Sequence, residues 1–233
     1  MRVRPKQLNA AIAMLFVLGS ACFVLGSIPV YVSTVPGLVD GITYFVGSLL
    51  FTSASLLQLL QAQSPSMTDL DRARDNKPES LTWWLPLPHD RSWLAAVTQF
   101  PGTLFFNLST AAALVRNATV QEQDRYVWRP DLFGSILFLV ASTFGVLALG
   151  RLRSFQPRSL PWQIAWFNMV GSVFFMASAL ASFVLPSSGE VVNTRVTVAG
   201  TLLGAACFLI GAALMFPAWH RFVRNPRTAA HHT

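Results

Sequence analysis

The chain of 233 residues is 53% hydrophobic and only 12% charged, with a formal net charge of +7. That balance excludes an ordinary soluble domain. The few charges fall between long apolar runs, so the basic excess reads as bilayer topology and not as a nucleic-acid surface.

Six apolar runs of about 20 residues, enough for a helix to cross roughly 30 Å of hydrocarbon, are expected to be membrane spans. They lie at 8–32, 36–61, 94–115, 131–150, 161–185 and 196–218. The fold class is therefore all-α, a polytopic bundle of six transmembrane helices in contact with the lipid bilayer. With the amino terminus in the cytoplasm, thirteen of the 17 Lys and Arg residues fall on the inner side. Arg116, Arg125, Arg129 and Arg195 fall outside, an asymmetry that predicts both termini inside. Fifteen arginines against two lysines suggest a GC-rich bacterium, and hence a multi-pass protein of the bacterial inner membrane.

The first span follows Arg2, Arg4 and Lys6, which imitates a signal peptide, but the apolar run to Val32 is too long for a signal h-region. An uncleaved first helix is expected. Gly19/Ser20 and Gly26/Ser27 share one of its faces, a pattern suited to close helix approach. Cys22, like Cys207 in span six, sits mid-span and reads as a packing residue. The turn at Ser33-Thr34-Val35-Pro36-Gly37 is short enough to make spans one and two antiparallel neighbours. In span two, Asp40, Tyr44, Ser48 and Ser55 lie on one face. A carboxylate in the first turn of a helix is favoured by the macrodipole; the alternative for Asp40 is proton or cation coupling, since Tyr44 follows one turn deeper.

Residues 62–80 are polar and mixed in charge, and are expected to form a flexible cytoplasmic loop within the 62–92 connection. Leu81 to Pro88 then returns to apolar character, with two prolines that forbid a helix. Trp83 and Trp84 place this stretch at the headgroup level, where it could receive a protein partner. In span three, Gln99, Thr103, Asn107 and Thr110 form one polar stripe. Lipid offers such groups no hydrogen bonds, so the stripe either lines a pore or substrate site or glues helices together. Residues 116–130 are expected as an outer linker, and Asp131 opens span four. Span five places Asn168 and Ser172 four residues apart, at a depth similar to Asn107. Residues 219–233 form a cytoplasmic tail.

Two phrases recur. Leu15-Phe16-Val17-Leu18-Gly19-Ser20 returns as Leu137-Phe138-Leu139-Val140-Ala141-Ser142, offset by 122 residues. Val46-Gly47-Ser48-Leu49-Leu50-Phe51 returns as Val170-Gly171-Ser172-Val173-Phe174-Phe175, offset by 124 residues. Gly102-Thr103-Leu104 returns as Gly200-Thr201-Leu202. A first half over residues 1–115 would then correspond to a second over 131–218. Three spans is an odd number, so the second copy would enter from the opposite side as an inverted-topology repeat.

The stretch from Asp131-Leu132-Phe133-Gly134-Ser135 through Val170-Gly171-Ser172-Val173-Phe174-Phe175 resembles bacterial integral membrane proteins of the YrhK-like domain family. The resemblance covers spans four and five, and spans one and two more loosely. It implies a helical membrane fold and brings no activity with it.

A duplicated bundle with a polar stripe is expected to be a channel or transporter for a small polar or ionic solute. Gln99, Thr103, Asn107, Thr110, Asn168, Ser172, Asp40 and Tyr44 are its candidate lining. The alternative is a non-catalytic scaffold or accessory subunit whose partner docks at Trp83/Trp84. No enzyme chemistry, metal or cofactor is expected. His89, His220, His231 and His232 lie outside the spans, and neither a phosphate loop nor a zinc motif is present.

Overall fold

The computed structural model describes residues 2–68, 70–115, 118–150 and 156–224. Of the residues named above, Arg116, His231 and His232 lie outside the described residues. The described residues are mostly helical, and include one antiparallel pair of two-residue strands, β1 (Arg2–Val3) and β2 (Glu79–Ser80). The helices are α1 (Pro5–Ser27), α2 (Pro29–Thr34), α3 (Gly37–Ala62), α4 (Pro65–Thr68), α5 (Leu70–Asp75) and α6 (Arg91–Ala112). After these come α7 (Val120–Glu122), a π-helical turn (Gln123–Trp128), α8 (Arg129–Ala148), α9 (Leu160–Ala181) and α10 (Thr194–Arg224).

Proline sets many of the boundaries. It stands in the first turn of α1, α2, α8 and α9, where its missing N–H costs nothing. Pro29 also breaks the expected 8–32 span, because it forces Ile28 into an extended conformation and the chain restarts as α2. At α6 the cap is Asp90, whose carboxylate accepts from the Ser92 and Trp93 amides at 2.7 and 3.2 Å. Among the described residues, five helical stretches are long and apolar enough to cross a membrane: α1, α3, Val120–Ala148, α9 and α10. The polar stripe keeps α6, at 22 residues, out of that group.

Three expected loops have structure. The 62–80 stretch contains α4, α5 and strand β2, which ties it to the amino terminus. Beyond it, Gln63 donates its side-chain amide to the Thr82 and Trp83 carbonyls, and the Thr82 amide donates to Ser64 Oγ at 2.8 Å. Those bonds hold the non-helical Leu81–Pro88 stretch against the end of α3. The outer linker turns helical at Val120, under a capping box of Thr119 and Glu122. The expected tail is helical as far as Arg224.

The six long helices form a ring in chain order: α1 packs on α3, α3 on α6, α6 on α8, α8 on α9, α9 on α10, and α10 closes on α1. Within that ring the backbones approach most closely in three hairpins. A Cβ placed on Gly19 would lie 3.0 Å from the Gly47 carbonyl oxygen, which joins α1 to α3. One on Gly134 would lie 3.1 Å from the Gly102 oxygen, joining α6 to α8. Gly171 and Gly204 approach reciprocally at 3.0 Å, joining α9 to α10. At such distances dispersion between backbones replaces the hydrophobic effect that lipid cannot supply. The two half-buried cysteines fit this packing, with Cys22 against Gly47 and Cys207 against Gly171.

The inversion expected from the recurring phrases would put Gly47 and Gly171 in equivalent settings. Gly47 faces the helix before it, α1, whereas Gly171 faces the helix after it, α10. Gly102 likewise faces α8, whereas Gly200 faces α9. The close contacts group the helices in twos and not in threes.

Candidate functional site

Each long helix carries the same five-residue phrase, glycine, a small residue, two apolar residues and phenylalanine. It begins at Gly19, Gly47, Gly102, Gly134, Gly171 and Gly204 and ends at Phe23, Phe51, Phe106, Phe138, Phe175 and Phe208. The small residues Ser20, Ser48, Thr103, Ser135, Ser172 and Ala205 are all at most 1% exposed. The four-residue step puts each phenylalanine on the same face as its glycine, one turn along. Six aromatic rings therefore enter the middle of the ring.

Those rings form two tiers. Phe51, Phe138 and Phe208 meet as a closed triangle, with centroids 6.2, 5.9 and 5.7 Å apart. In the other tier, Phe175 touches Phe23 at 6.1 Å and Phe106 at 5.9 Å. Within each hairpin the tiers are linked: Phe23 to Phe51 at 6.1 Å, Phe106 to Phe138 at 5.1 Å and Phe175 to Phe208 at 5.3 Å. Each such pair contributes about 0.5–1.5 kcal/mol beyond its buried area. The cluster plugs the bundle at mid-height.

On the amino-terminal side of the plug lies a cavity of about 550 Å³, lined from all six long helices. The triangle of Phe51, Phe138 and Phe208 is its floor. On α3 the lining runs from Ala62 to Phe51, which at 1.5 Å per residue is about 16 Å of helix. That is about half the hydrocarbon thickness. The walls are largely alanine, glycine and aliphatic carbon, broken by the carboxamides of Asn9, Gln58, Gln61, Gln99 and Asn168. Gln99 Nε2 lies 3.4 Å from Gln58 Oε1, joining α6 to α3. The side chains of Asn9, Gln61 and Asn168 make no hydrogen bond among the described residues. No charged residue is among the described lining. Near the mouth Arg91 is held by the end of α8, donating from Nη1 to the Leu147 and Gly150 oxygens at 2.7 and 3.2 Å.

Of the eight side chains expected to line a site, Gln99 and Asn168 reach this cavity. Ser172 lies behind its wall, its hydroxyl 2.7 Å from that of Ser142, which does line it. Thr103 is buried and donates to the Phe100 carbonyl at 2.6 Å. Asn107 Oδ1 accepts from Thr52 Oγ1 at 3.0 Å, and the Thr110 and Ser48 hydroxyls lie 2.9 Å apart. The deeper half of the span-three stripe therefore bonds to α3. Asp40 and Tyr44 lie beyond the plug, where Tyr44 bonds to Ser27 at 2.8 Å and Asp40 Oδ1 packs beside Gly26. Asn9, Gln58, Gln61 and the aromatic floor were not expected. The glycine-to-phenylalanine phrase was the signal for the floor, whereas the amides near the helix ends carry none.

Among the described residues no group of three His, Cys, Asp or Glu side chains could hold a metal ion. No family model, curated protein or solved structure matches the chain.

Proposed function

We propose that this protein is a membrane carrier for a small uncharged solute, with all six long helices spanning the bilayer and both termini on the cytoplasmic side of a bacterial inner membrane. The observation that carries the proposal is the dead-ended cavity with its unpartnered carboxamides. Amides left without protein partners in an apolar cavity favour a ligand that supplies hydrogen bonds. An ion is the poorer guest, because the described walls offer it no compensating charge. The aromatic floor favours a carrier over an open channel. Its rings meet across the axis by edges and faces, contacts that can part without breaking hydrogen bonds. The backbone-to-backbone glycine approaches are all inside hairpins, so movement between hairpins would leave each hairpin intact.

The test begins with thermal-shift screening of the purified protein against uncharged solutes. Any hit is then followed as a radiolabelled solute into proteoliposomes. Saturable uptake that Asn168→Leu abolishes, while melting is unchanged, supports the carrier. A hit that binds without crossing would sink transport.

The second reading, a non-catalytic scaffold subunit, has one observation in its favour. Trp83 and Trp84 are 69% and 66% exposed, on a stretch that Gln63 and Ser64 hold in place. Kinship with YrhK-like proteins belongs to the same proposal and rests on the Asp131–Phe138 and Val170–Phe175 phrases.

A further inference from the structure

A second cavity, of about 290 Å³, lies where three distant parts of the chain meet. Lys6 comes from the start of α1, Arg74 and Asn76 from the end of α5, and Trp219 and His220 from the last turns of α10. Two bonds hold these parts in register. The Lys6 backbone amide donates to Asn76 Oδ1 at 3.1 Å, and Arg74 Nε donates to the Val223 carbonyl at 3.1 Å. Neither bond uses the Lys6 ammonium or the terminal nitrogens of Arg74. No carboxylate is among the described lining. The acid next in sequence, Asp75, is paired with Lys77 at 3.1 Å.

Depth identifies what such a pocket meets. Lys6 stands two residues before Leu8, where the apolar run of α1 begins, which is about 3 Å along the helix. With the long helices spanning as proposed above, it sits just outside the hydrocarbon, at the level where lipid phosphates lie. Trp219 is the kind of side chain that favours that level. Lysine and arginine side chains converging at a helix junction on this face suit a phosphate-bearing headgroup. The arginine can bind two phosphate oxygens at once.

We propose that Lys6, Arg74 and His220 bind the phosphate of an anionic phospholipid from the surrounding leaflet, with Trp219 covering its glycerol end. Trp219 also lines the central cavity, so the bound lipid braces one wall of the vestibule.

The full chain is purified in uncharged detergent, and retained lipid is counted by native mass spectrometry during titration with phosphatidylglycerol, phosphatidylcholine or inorganic phosphate. One phosphatidylglycerol should be retained per chain, in preference to phosphatidylcholine. Lys6→Gln should weaken retention about fivefold, and Lys6→Gln with Arg74→Gln about 25-fold. Lys6 contributes only its backbone to the junction, so the single variant keeps the test meaningful if the double variant misfolds. Arg158→Gln, an exposed cation elsewhere in the chain, should change retention less than twofold. Equal losses in Lys6→Gln and Arg158→Gln would mean diffuse attraction and overturn the proposal. Equal retention of phosphatidylcholine, or displacement of the lipid by inorganic phosphate, would overturn it as well.

Discussion

Phe51 and Phe138 lie 6.2 Å apart although their helices, α3 and α8, are not neighbours in the ring. Their contact crosses the bundle axis and, with Phe208, closes the floor of the vestibule. The amino-terminal half of the bundle is thus hollow, and its middle is filled with aromatic rings.

If the triangle is the seal, Phe138→Ala should make proteoliposomes permeable to small neutral solutes, read as osmotic swelling by light scattering. Removing a ring from a packed core costs about 3–5 kcal/mol, so melting is measured alongside. Phe138→Leu keeps most of the volume and should stay sealed. A folded Phe138→Ala protein that does not leak would show that the seal lies elsewhere.

Asn107 and Asn168, which the sequence alone placed in one site, should separate experimentally. Asn107→Leu breaks the bond to Thr52 and should lower stability by roughly 0.6 kcal/mol, the average for such bonds in a membrane. A double-mutant cycle with Thr52→Val should recover that coupling, while solute binding is unchanged. Asn168→Leu should behave in the opposite way, with binding lost and melting intact. Loss of binding in Asn107→Leu at full stability would return the deep stripe to the site.

The close backbone approaches predict a graded glycine series. Gly171→Ala and Gly204→Ala each push a methyl to 3.0 Å from the facing carbonyl oxygen, and should cost about 1–3 kcal/mol in thermal melts. Gly145 has nothing within 4 Å of a built Cβ, so Gly145→Ala should be neutral or stabilising by up to about 1 kcal/mol. Equal melting of all three variants would remove the hairpins as the rigid units.

Much of this fold is legible in residues. The apolar runs give the long helices, and Pro5, Pro130 and Pro161 mark the starts of three of them. The pairing of those helices was harder to read. Leu15–Ser20 and Leu137–Ser142 match as strings, yet in the first Gly19 packs α1 on α3, and in the second Ala141 and Ser142 line a cavity. Apolar membrane segments draw on few residue types, so similar strings serve different contacts. Gly19-Ser20-Ala21-Cys22-Phe23 and Gly204-Ala205-Ala206-Cys207-Phe208 were the better match, because the spacing from glycine to phenylalanine has a packing cause. The site was half legible. Polar groups at helical spacing identify a stripe, but at 100° per residue a stripe drifts. Gln99 reaches the cavity while Asn107, two turns on, faces α3.

The final prediction concerns access. Cys22 and Cys207 are half-buried, and a Cys22→Ser, Cys207→Ser background removes them from the assay. In that background Asn168→Cys and Ser142→Cys, both on the vestibule wall, should react with a membrane-impermeant maleimide from the amino-terminal side. Ser33→Cys and Ser187→Cys, in connections at the opposite end, should react from the other side. Asp40→Cys lies beyond the aromatic plug and should follow Ser33 and not Asn168. If Asn168→Cys is labelled from the side of Ser33, the plug does not separate two compartments and the carrier proposal loses its geometry. If Asn168 and Ser33 respond as expected but the amino-terminal side faces outward in cells, the dead-ended vestibule stands and the charge-based orientation falls.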